Sequence, residues 1–99
     1  MLKREFFDDV SEKVTDVTGV ELCKMLTSHS EECTDAKYIL VKALSKIGFS
    51  DIDISMQIGC TRQAVGYIKN NYKKSDKWIL SNHWQIVSKW IESKYLMGK

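Results

Sequence analysis

Apolar residues recur at every third or fourth position along most of the chain, the spacing of one helix face turned towards a core. Phe7, Val10, Val14 and Val17 predict a helix over 3–17, with Gly19 as its stop. Val20, Leu22, Cys23 and Leu26 predict a short second helix over about 20–26. A polar run, TSHSEECT at 27–34, follows as a loop, and Thr34 is placed to cap the next element. Ile39, Leu40, Ala43, Leu44 and Ile47 then mark a third helix over about 35–47 that ends at Gly48.

Ser50 and Asp53 can bond each other's backbone amides in a shortened capping box, which starts a fourth helix over 51–58 with Ile54 and Ile58 inward. Gly59 and Cys60 supply a bend, and Thr61 caps a fifth helix over 62–73. A last helix is expected over about 82–96, with 76–81 open between helix and linker. The pattern predicts an all-α chain: one compact domain over 1–99, of five or six helices.

Composition agrees. The 99 residues are 43% hydrophobic, include no proline and only five glycines, and so suit helices joined by short turns. No apolar run reaches the length of a membrane span, and the start, MLKREFFDDV, does not read as a secretory signal. Three unclustered cysteines, Cys23, Cys33 and Cys60, predict a reduced, cytoplasmic protein with small buried thiols. Charge changes the picture more. Residues 1–58 carry seven Lys/Arg against eleven Asp/Glu, whereas 59–99 carry eight against two. Such a division suggests that the C-terminal part meets a polyanion.

Winding 62–74 into a helix puts Ala64, Val65, Ile68 and Tyr72 on one side. Arg62, Gln63, Gly66, Tyr67, Asn70 and Lys73 fall on the other, and the segment contains no carboxylate. With Ser55 small inside the fourth helix and Gly59 at the bend, residues 51–72 have the pattern of a helix-turn-helix. Arginine can bond guanine with two hydrogen bonds, and glutamine or asparagine can do so with adenine. Arg62 and Gln63 are therefore the candidate base readers. Thr61, Gly66, Tyr67, Lys69, Asn70, Lys73 and Lys74 are the candidate contacts to backbone or neighbouring bases, and Lys77 extends the basic run. The lysines also suit a helix C-terminus on dipole grounds alone.

Residues 8–72 resemble the Trp-repressor-like class of DNA-binding domains, and are similar to the C-terminal domain of the bacterial chromosomal replication initiator. The resemblance rests on VTDVTGVELCKML, a polar loop, DAKYILVKALSKIGFS and DIDISMQIGCTRQAV, in that order. It implies DNA reading through the last helix of the motif and phosphate contacts from the loop. The sequence departs from the family in that loop, which holds Glu31 and Glu32 where the family's is basic. It departs again in the family's arginine-aspartate-histidine-threonine-threonine-valine signature, matched only at Val65, and in a turn about one residue shorter.

No phosphate-binding glycine loop, nucleophile elbow or zinc spacing is present, so neither catalysis nor a cofactor or metal is expected; Cys23, His29 and Cys33 fit no template. In the last helix Leu80, Trp84, Val87, Ile91 and Tyr95 form one stripe, and Ile79, Ile86 and Trp90 an adjoining one. The excess apolar surface predicts a homodimer interface at Trp84, Ile86 and Trp90, the alternative being a thick lid on the chain's own core. The functional expectation is sequence-specific binding of double-stranded DNA in transcription or replication control. The alternative is a protein–protein interaction module on the same scaffold.

Overall fold

The computed structural model describes residues 2–28, 30–72 and 78–96. They form α1 (Leu2–Thr18), α2 (Leu22–Thr27), α3 (Glu31–Ile47), α4 (Asp51–Ile58), α5 (Arg62–Tyr72) and α6 (Trp78–Ile91), then a π-helical turn, Glu92–Leu96. The protein is all-α, and no strand occurs among the described residues.

Helix α3 is the axis of the domain and touches each of the other five helices. One apolar stripe would serve a single neighbour. Here Tyr38, Ile39, Leu40, Val41, Ala43 and Leu44 are all buried, so the helix is enclosed on nearly every side. Phe7, Val10 and Val14 of α1, Met25 of α2, Ile54 of α4, Val65 of α5, and Val87 and Ile91 of α6 close around it. Lys42 alone interrupts the buried run between Tyr38 and Leu44.

The helix starts follow local hydrogen bonding. Ser30, not Thr34, caps α3: its hydroxyl accepts from the Cys33 amide at 3.3 Å. Thr34 lies inside the first turn and donates its hydroxyl to the Ser30 carbonyl at 2.9 Å. The polar loop thus contracts, and Glu31 and Glu32 become helical. Carboxylate-bearing residues are favoured there by the unpaired amides of a helix N-terminus. At α4 the expected capping box forms, with the Asp53 amide donating to Ser50 Oγ at 3.1 Å and the Ser50 amide to Asp53 Oδ2 at 3.3 Å. Residues 78–81 belong to α6.

The expectation of buried thiols needs correction. Cys23 is exposed, because α2 turns Met25 to the core instead; Cys33 is buried and Cys60 is half-buried. Part of the apolar surface of α6 is covered by the chain itself. Trp84 and Trp90 pack against the core, with the Lys42 ammonium 4.8 Å from the Trp84 ring and those of Lys94 and Lys13 at 5.1 and 5.9 Å from Trp90. Of the proposed interface trio only Ile86 remains exposed. The side chains of Ile79, Leu80 and Tyr95 lie outside the described residues. Ion pairs from Lys94 to Asp9 (3.1 Å) and from Lys46 to Glu92 (3.2 Å) tie the terminal turn to α1 and α3.

Leu40→Ala removes a fully buried side chain from the shared axis. It should cost about 2–5 kcal/mol, read as a lower urea midpoint in equilibrium unfolding.

Candidate nucleic-acid interface

The α4–α5 pair is built by backbone geometry first. Gly59 ends α4 at φ 77° and ψ 29°, in the left-handed region. Its amide and that of Cys60 both donate to the Ser55 carbonyl, at 2.9 and 3.1 Å. Ser55 is buried and satisfies its own hydroxyl on the Ile52 carbonyl at 2.7 Å, so a small polar residue fits beneath the crossing helix at no hydrogen-bonding cost. Thr61 then caps α5, accepting from the Ala64 amide at 3.0 Å. Val65 is wholly buried, Ile58 nearly so, and Ile68 packs on the core. One side of α5 is therefore fixed, and the other is left outward.

On that outward side Arg62, Gln63 and Asn70 are exposed, and Tyr67 is 67% exposed. Gly66 lies between them, and a Cβ built on it would meet nothing within 4 Å. Packing within the chain therefore does not demand glycine at 66. Thr61 is exposed and its hydroxyl proton is not used by the cap.

Lys69 departs from expectation. Its ammonium bonds Asp51 Oδ1 at 2.8 Å, and both side chains are about one-third exposed (33% and 36%). The absence of acids, true of α5 itself, does not extend to its surroundings: α4 brings a carboxylate against this lysine. The sequence conceals that contact because the two residues are separated by a turn whose geometry decides which flanks meet. Lys73, Lys74 and Lys77 lie outside the described residues.

The structure adds one cation that sequence spacing did not single out. The Cys60 thiol is pushed up from its ordinary pKa by burial, and the positive charge of Lys37 acts on it in the opposite sense. Lys37 of α3 therefore stands near the turn that leads into Thr61 and Arg62. No periodicity links residues 37 and 60; only the packing of α3 behind the turn does. Glu32, by contrast, is exposed in the first turn of α3, where the family resemblance implied basic loop contacts. Among the described residues no group of three His, Cys, Asp or Glu side chains could hold a metal ion.

The outward side of α5 thus presents Arg62, Gln63, Tyr67 and Asn70. No family model, curated protein or solved structure matches the chain.

The two glycines of this region should respond in opposite directions. Gly59→Ala forces an L side chain into the left-handed region and should destabilise by about 1–2 kcal/mol, though no atom opposes the added methyl. Gly66→Ala relieves a helix-interior glycine and should stabilise by up to about 1 kcal/mol. Paired thermal melts of the two variants check both signs.

Proposed function

We propose that the protein is a helix-turn-helix binder of double-stranded DNA, acting in the control of transcription or replication, with α5 entering the major groove. The observation that carries this reading is the outward side of α5, where Arg62, Gln63 and Asn70 are exposed together on a helix without a carboxylate. Arg62 and Gln63 stand in its first turn, the part of a recognition helix that meets base edges. Arg62 can give two bonds to guanine, and Gln63 or Asn70 can exchange two with adenine. Tyr67 can cover a thymine methyl or donate to a phosphate, and Gly66 lets the backbone come close. Thr61, exposed at the helix start, suits a phosphate. Lys69, tied to Asp51, contributes less charge than its type suggests. The resemblance to Trp-repressor-like and replication-initiator domains supports the same reading.

A second reading draws on α4. Ile52 and Met56 are one turn apart and exposed at 50% and 76%, an apolar pair that phosphates would not recognise. A protein–protein interaction module on this scaffold would use them.

Selection of bound duplexes from a random pool, followed by titration of the winner across salt concentrations, separates the two. DNA reading requires enrichment of one sequence and binding that weakens as salt rises. Arg62→Ala should then cost about 1–3 kcal/mol and relax preference at one position. No enrichment, with no DNA retained even at low salt, would abandon this reading in favour of the protein partner.

A further inference from the structure

A cleft of about 320 Å³ opens between α3 and α5, lined by Tyr38, Lys42 and Ser45 on one side and Lys69 on the other. Lys42 is the unusual member. Lys69 pairs with Asp51 and Lys46 with Glu92, but among the described residues Lys42 meets no carboxylate. Its ammonium lies instead 4.8 Å from the Trp84 ring centre and 5.6 Å from that of Tyr38. A half-buried cation loses hydration, and ring faces restore only part of that loss. The remaining electrostatic demand is for an anion, and the cleft is the space from which one can approach.

We propose that this cleft is a phosphate-binding site, in which Lys42 supplies the net charge and Ser45 and Lys69 supply further donors. Lysine binds phosphate as a point charge with rotatable protons, so Lys69 can hold Asp51 with one proton and still offer another. Donors from two facing helices suit a tetrahedral anion, whose oxygens point several ways. A planar carboxylate would use fewer of them.

The position names the source. Arg62, Gly66 and Lys69 follow one another at helical spacing along a single edge of α5. A phosphate held at Lys69 and Lys42 therefore lies beside the groove-facing side of that helix, where a nucleic-acid strand bordering the groove would run. Naming the DNA backbone as the source rests on the function proposed above; the anion site itself does not. If it holds, α3 is more than a support: its Lys42 clamps the strand that α5 reads.

Two measurements test this on the full chain. The first titrates inorganic phosphate while the backbone amide of Ser45 and the side-chain resonances of Lys42 are followed by NMR. The second records DNA affinity against salt for the wild type, Lys42→Gln and Ser45→Asp. Lys42→Gln removes the charge, whereas Ser45→Asp places a carboxylate in the cleft, where it answers the Lys42 charge from within the chain and repels phosphate. A thermal melt of each variant checks folding, and Ser45→Asp carries the test if Lys42→Gln fails to fold. The expected result is phosphate-induced shifts at residues 42 and 45 that both variants abolish. The slope of log affinity against log salt should also fall by about one unit in Lys42→Gln, with the preferred sequence unchanged. Phosphate shifts with no DNA bound at any salt would keep the site, assign it to free phosphate, and remove the DNA reading. DNA binding with the wild-type slope in both variants and no phosphate shifts would overturn the site while leaving the DNA reading intact.

Discussion

The enclosure of α3 is the constraint on which the rest depends. A helix that buries residues almost all round cannot stop at one layer of neighbours, and five other helices are needed to cover it. Hydrophobic burial of this kind is non-directional, so it fixes compactness but not which flank of each neighbour faces out. Direction comes from the ends: the Ser30 cap, the Ser50–Asp53 capping box, the left-handed Gly59 and the Thr61 cap. Each sets the angle at which a helix leaves its turn. The outward side of α5 is what remains after Val65 has been committed to the core.

Most of this was legible along the chain because helical spacing and cap chemistry are local. The fourth and fifth helices, their turn and both caps follow from a few adjacent residues and agree with the structure. What was not legible lies between elements distant in sequence. Tyr38 and Val41 break the single stripe expected of α3, and their burial follows only from neighbours packed on several sides of that helix. The polar loop is shorter than the spacing predicts because Thr34 and Ser30 are both competent caps, and spacing alone does not say which hydroxyl the backbone chooses. The pairing of Lys69 with Asp51, the influence of Lys37 on Cys60 and the contact of Lys42 with the Trp84 ring all join residues far apart in sequence and have no periodic signature.

The same distinction bears on charge. The division between an acidic first part and a basic second part is real in the sequence, yet folding mixes the two. Lys94 meets Asp9, Lys46 meets Glu92 and Lys69 meets Asp51. Surface pairs of this kind are each worth at most about 1 kcal/mol, so their main effect here is to spend charge that net counts would assign to a partner. The cations left without a described carboxylate partner, Arg62, Lys37 and Lys42 among them, describe the electrostatic surface better than the total does.

Three of the outward residues of α5, Arg62, Gln63 and Asn70, are exposed. Val65, Ile58 and Ile68 hold the helix, while Arg62, Gln63 and Asn70 can change without opening a cavity or stranding a buried polar group. Core packing and outward chemistry are therefore carried by separate sets of positions on one short helix. A lineage built on this scaffold could drift from one partner to another through single substitutions at those sites, with folding placing little restraint on the route.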